Sequence, residues 1–150
     1  MQVTASLDLN LDALLKKKGI NDMGRVQKFI DNECIRLMYD YTPNRNGMLI
    51  ASLKANTVIG EGMLKQHTPY ARYLYYGKLY VDPITLKGAF YSDKYGFWSR
   101  PGVSKIPDPG GRMLKYDQNK SIKAGRLWFE RMKADHLENI RKGAAKVAEQ

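Results

Sequence analysis

The chain has 150 residues, with 25 Lys plus Arg against 15 Asp plus Glu, a formal net charge of +10 and a pI near 9.7. That length suits one domain with its own core, so neither a disulfide nor a structural metal is needed to fold it. The single cysteine, Cys34, excludes an intramolecular disulfide, and with only His67 and His136 it falls short of a four-ligand zinc site unless carboxylates join.

The opening residues carry no basic segment followed by an apolar run, so no secretory leader is expected. The longest apolar runs, such as residues 48–53, are far below the ~20 residues of a membrane helix. Charge is uneven along the chain. Residues 78–126 hold 10 basic and 4 acidic side chains, a local field that attracts polyanions or acidic protein surfaces.

From the N-terminus, Val3, Ala5, Leu7, Leu9 and Leu11 alternate with polar residues, which predicts a strand with one buried face. Residues 12–19 follow as a short helix, with Asp12 at its start, three lysines near its end and Gly19 to stop it; a start as early as Leu9 is the competing reading. A longer helix is expected to open at Asn21 or Asp22. Val26, Phe29, Ile30, Cys34, Leu37, Met38 and Tyr41 form its apolar stripe, Asp31 falls largely outside that stripe, and Thr42-Pro43 ends it. Residues 48–55 suit either a short helix or a buried strand. The two runs joined by Gly60-Glu61-Gly62 predict a β-hairpin over 57–67.

After Pro69 the spacing of Tyr70, Tyr73 and Tyr76 places them on one face of a helical turn that Gly77 can close, with Tyr70 and Tyr73 expected as core anchors. Between Tyr70 and Trp98 lie 10 of the chain's 16 aromatic residues. Glycines and prolines break the same stretch and continue beyond it, so no long regular element is expected over 82–120. A segment so aromatic is also unlike ordinary disorder. It predicts an extended arm, ordered by contact with a partner. The last helix runs from about Ala124, with Trp128, Met132, His136 and Ile140 on one side. Trp128 is a core anchor there, Arg131, Lys133, Glu138 and Arg141 are solvated, and Gly143 weakens the final turns.

No motif marks catalysis. A phosphate-binding GxxxxGK loop, GxSxG, HExxH and CxxC are all missing, and nothing activates Cys34, which sits in an apolar stripe. The expectation is a protein that is not an enzyme and uses no cofactor or metal. The aromatic and basic residues of the arm suit two roles. They can hold nucleic acid through phosphate contact and stacking, or anchor a protein interface.

Four blocks, TPNRNGMLIASL at 42–53, GEGMLKQHTPYARYLYYGKLYVDP at 60–83, KGAFYSDKYGFWSRPG at 87–102 and AGRLWFERMKADH at 124–136, resemble the minor capsid, head–tail connector and tail-completion proteins of tailed bacteriophages. The segment 82–120 is longer than in the simplest members of that family. The resemblance implies a non-catalytic virion protein, made in the host cytoplasm and placed at the head–tail junction. There it would form a homo-oligomeric ring with portal-side, neck and tail-tube proteins as neighbours.

The expected fold is α+β: a single domain over 1–150 with a small antiparallel sheet packed by two main helices, and the arm inserted at 82–120. Within the arm, Tyr91, Tyr95, Phe97, Trp98 and Arg100 are the expected subunit contacts. Lys105, Arg112 and Lys115 would touch packaged DNA where they face the lumen. The rival expectation is a non-catalytic nucleic-acid-binding module using 78–126.

Overall fold

The computed structural model describes residues 11–21 and 23–150. Its elements are five helices, α1 (Leu11–Lys18), α2 (Arg25–Tyr41), α3 (Met48–Asn56), α4 (Ala71–Tyr76) and α5 (Trp128–Glu149), and four short strands. The strands are β1 (Tyr80–Val81), β2 (Phe90–Ser92), β3 (Gly96–Trp98) and β4 (Ile106–Pro107). They form two antiparallel pairs, β1 with β4 and β2 with β3, so the fold is α+β. The strand expected over Val3–Leu11 lies outside the described residues, except that Leu11 opens α1.

The core is an antiparallel pair of long helices. Arg25 Nε of α2 donates to the Val147 carbonyl of α5 at 3.0 Å, and at the other end Tyr41 Oη donates to Asp135 Oδ2 at 2.5 Å. Along this pair the apolar stripes interlock as their spacing predicts. Cys34, Met38 and Tyr41 of α2 meet Trp128, Met132 and Ile140 of α5, with Leu49 and Leu53 of α3 and Ala71 of α4 closing the cluster. Trp128 is only 1% exposed. Its indole N–H donates to Gln66 Oε1 at 3.1 Å, so the ring is buried without an orphaned donor. Truncating an aromatic so enclosed costs on the order of 3–5 kcal/mol. Arg131, Lys133, Glu138 and Arg141 face solvent as expected.

Residues 48–55, open between helix and strand in the sequence, are helical. Two other expectations are corrected. Helix α2 opens at Arg25 rather than at Asn21 or Asp22. The Asn21 carbonyl is taken by the Gly24 N–H at 2.8 Å and the Gly19 carbonyl by the Val26 N–H at 3.0 Å, so a tight turn occupies the groups an earlier start would need.

The hairpin expected over 57–67 does not form. Several of its backbone donors go to side chains instead. Asp31 Oδ2 accepts from the N–H groups of Gly60 and Gly62 at 2.7 and 3.1 Å, and Ser52 Oγ accepts from the His67 N–H at 2.7 Å. Thr57 Oγ1 takes the Lys65 N–H at 3.1 Å. With those four donors taken by side chains, the segment makes no regular cross-strand ladder. Asp31 is accordingly buried, not on the solvated face the stripe suggested.

Gly143 has a packing role beyond its cost in helix propensity. A Cβ built there would lie 2.4 Å from Phe29 Cζ, so the bare backbone is what lets that ring lie against α5. Alanine at this position would gain about 1 kcal/mol in propensity but would displace the ring, at a cost of about 1–3 kcal/mol. We therefore expect Gly143→Ala to lower the thermal midpoint, and the same substitution in a Phe29→Ala background to raise it. A thermal-melt double-mutant cycle with no coupling between the two sites would remove this role from Gly143.

Candidate functional site

The segment after α4 is where the chain leaves its helical core. Gly77, at φ +69°, caps α4 in the left-handed region and turns the backbone outward. A Cβ there would also lie 2.7 Å from Tyr116 Oη, which donates to the Leu74 carbonyl at 2.5 Å. Beyond Gly77 an irregular stem forms. The Leu79 N–H donates to the Arg112 carbonyl at 3.2 Å and the Leu114 N–H to the Gly77 carbonyl at 2.8 Å. Tyr80 and Val81 of β1 then pair with Pro107 and Ile106 of β4.

The loop carried by this stem is held by carboxylates. Asp82 is buried, and its Oδ1 receives the N–H groups of Ile84 and Thr85 at 2.9 and 3.0 Å. Arg100 adds a two-pronged contact, with Nε at 2.6 Å from Oδ2 and Nη2 on Oδ1. The Arg100 guanidinium first, then the Thr85 and Ile84 amides, hold the Asp82 carboxyl far below its usual range. Asp108 repeats the device at the stem's other strand. It accepts the Arg112 N–H and Nε, both at 2.9 Å, and Arg112 holds its pKa down to about 2. Both residues begin Asp-Pro turns, in which the side-chain oxygen caps the amides that follow.

Out of this loop rises a second ladder. Phe90 pairs with Trp98, Tyr91 with Phe97 and Ser92 with Gly96, and Gly96, at φ +67°, closes the three-residue turn over 93–95. Alternation puts Phe90 and Trp98 on one face, stacked 4.9 Å apart, and Tyr91 and Phe97 on the other, edge-on at 5.2 Å. The second face is open to solvent, with Tyr91 65%, Tyr95 71% and Phe97 78% exposed. Lys94 Nζ lies 4.9 Å from the centre of the Tyr95 ring.

These positions rearrange the sequence-based assignments. Tyr91, Tyr95, Phe97 and Trp98 share one hairpin. Arg100 lies behind it, bound to Asp82, and is not a free contact on its surface. Lys105 Nζ is bound to the Gly88 carbonyl, and Arg112 to Asp108 and to the Leu86 carbonyl, so two of the three expected DNA-facing cations are engaged within the chain. Lys115 is exposed.

Tyr70 and Tyr73 are not core anchors. The inner face of α4 is Ala71, Leu74 and Tyr75, whose ring meets Trp128 edge-on at 4.8 Å, and Tyr70 and Tyr73 lie outside it. The small Ala71 lets so short a helix approach the core, which sets a phase one residue away from the tyrosine spacing. The arm is also not without structure of its own: the stem, the hairpin and the Asp82 and Asp108 pairs order it within one chain.

Burial raises the Cys34 thiol pKa, the opposite of an activated nucleophile. Among the described residues no group of three or more His, Cys, Asp or Glu side chains is placed to hold a metal ion, and no helix is long and apolar enough to cross a membrane. Comparison with protein families, with curated proteins and with solved structures gave no match to this chain.

A carboxylate held below its normal range stabilises the fold above its unfolded value of 3.8, and that contribution is lost as pH falls through the depressed value. The hairpin's attachment is therefore expected to loosen in acid while the helical core persists. At neutral pH, Asp82→Asn keeps an acceptor for the turn but loses the ion pair, and Asp82→Ala loses both. Hydrogen exchange should speed up over 96–105 in the first variant and over 84–105 in the second, with α2 and α5 unchanged. Unaltered exchange over 84–105 in the alanine variant would show that Asp82 does not hold the loop.

Proposed function

We propose that this chain is a structural subunit of a tailed-phage virion, which assembles into a ring at the head–tail junction and joins the DNA-filled capsid to the tail. The observation that carries this reading is the solvated face of the β2–β3 hairpin. Large rings are costly to leave in water, and an exposed aromatic patch on an ordered element marks a surface that is covered in use. The hairpin stands on a stem pinned by two carboxylate–guanidinium pairs, so its shape is set before any partner arrives. Little ordering cost then remains to be met on binding.

A closing ring needs two unlike patches on each subunit, one received by the other. The hairpin is one, projecting from the helical core, and the neighbouring copy supplies the other. The four sequence blocks that resemble neck and tail-completion proteins include the hairpin itself, within 87–102, and the core helix start at 124–136. The contact residues in this reading are Tyr91, Tyr95 and Phe97, with Trp98, stacked on Phe90, on the hairpin's opposite face. Arg100 acts behind them, as the residue that holds the hairpin in place. The virion location and the neighbouring portal-side and tail-tube proteins belong to the same proposal.

Sedimentation velocity across a concentration series, with electron micrographs of the heavy species, tests it. The wild-type chain is expected to form closed rings. Tyr91→Ser with Phe97→Ser should shift it to monomer at an unchanged thermal midpoint, since both rings lie outside the core. Rings that survive this double substitution would remove the hairpin from the interface. A wild-type chain that stays monomeric throughout, alone and with purified tails, would overturn the assembly reading.

A further inference from the structure

A second surface, separate from the hairpin, is built where α4 turns into β1. The helical spacing of Arg72, Tyr73 and Tyr76 and the strand alternation of Lys78 and Tyr80 bring these five side chains to one cleft of about 350 Å3. A larger concavity of about 610 Å3 lies against it, sharing Tyr73, Lys78 and Tyr80 and edged by Ser104 and Lys105. Among the described residues no carboxylate lines either part, and neither the Arg72 nor the Lys78 side chain has a hydrogen-bond or ion-pair partner. Elsewhere in this lobe the arginines are neutralised by aspartates; here two cations are left uncompensated among three tyrosine rings. Tyr73 and Tyr76 are 48% and 54% exposed, and Tyr80 stands edge-on to Tyr73 at 4.9 Å.

We propose that this cleft binds a single strand of nucleic acid, with Arg72 and Lys78 on its phosphates and the Tyr73 and Tyr76 rings against its bases. Cations that track a backbone, interleaved with rings that accept any base by stacking, are what recognition of single strands without sequence preference requires. A duplex would meet only half of this surface, because its bases are already stacked and paired. An acidic peptide would use the cations but has no flat faces for the rings. The site is independent of the ring reading: it shares no residue with the β2–β3 hairpin, and it relocates the nucleic-acid contact from Lys105 and Arg112, which are engaged within the chain, to Arg72 and Lys78.

The test is fluorescence anisotropy of a fluorescein-labelled oligo-dT twelve-mer against the full chain over a salt series. Unlabelled duplex of equal length and a poly-glutamate of matched charge serve as competitors. Wild type should bind the oligo-dT, with the duplex and the poly-glutamate competing poorly. Arg72→Ala and Lys78→Ala should each flatten the log–log salt slope by about 0.7, the value for one phosphate left unneutralised on a single strand. Tyr76→Leu should weaken binding by roughly five- to 150-fold with the slope unchanged, the range for removing one base stack. Lys142→Ala, on the far helix α5, and the Phe97→Ser hairpin variant should behave as wild type. Circular dichroism of each variant confirms the fold. Three results would overturn the proposal: no binding at low salt, a Lys142→Ala loss equal to that of Arg72→Ala, or competition by duplex or poly-glutamate equal to that by unlabelled oligo-dT. Sedimentation of the same variants reads ring assembly separately, so either idea can fail alone.

Discussion

Four donors converge on the two oxygens of Asp82: two backbone amides from the turn it opens, and two nitrogens of Arg100 from 18 residues on. Without that point of attachment the loop over 82–105 would lose its one buried ion pair, leaving the two-residue ladder of β1 and β4 and the backbone contacts of Lys105 and Arg112 to hold the aromatic hairpin. With it, the chain can present large rings to water on a rigid support. Every protein contact proposed for the hairpin depends on that carboxylate being buried and ionised.

The same economy appears at Asp31 and Asp108. In a chain with a large excess of cations, three aspartates are turned inward as fasteners for glycine- and proline-rich backbone: Asp31 for the turn at 60–62, Asp82 for the loop at 84–100, Asp108 for the turn at 109–112. Charge used this way is withdrawn from the surface. Asp31 is satisfied by amides and by Gln27 rather than by a cation, so its burial leaves one basic side chain elsewhere without a counter-charge. Arg72 and Lys78, lining a cleft without a carboxylate, make the local positive field beside α4.

How much of this could be read in advance differs by element. The stripes of α2 and α5 were legible because packing against a single core enforces a 3.6-residue period, and Trp128, Met132 and Ile140 lie where that period puts them. In α4 the periodicity of the tyrosines was real but belonged to the outer face. Six residues are too few for a stripe to declare which side is inward, and the small Ala71 was the better signal. The turn at 60–62 was misread because its partner is a carboxylate on a distant helix, which no local pattern displays. Ser92 to Gly96, by contrast, has the length and the closing glycine of a hairpin loop, and Asp82-Pro83 and Asp108-Pro109 have the form of capped turns. Those signals were local, but the surrounding aromatics and the many glycines and prolines pointed to an extended arm ordered by contact with a partner. The pairing of Asp82 with Arg100 spans the hairpin and was visible only in three dimensions.

Cys34 has a consequence of a different kind. It is the chain's one thiol, it lies at the centre of the α2–α5 interface, and burial keeps it protonated. A side chain placed this way is shielded from oxidants and from other thiols for as long as the two helices stay together, so in the proposed ring neighbouring copies would not cross-link through it. It becomes reactive only when the helices part. The chain thus carries a built-in chemical clock: the rate at which a small alkylating reagent consumes its single sulfur reports how often the core opens, whatever the lobe at the surface is doing.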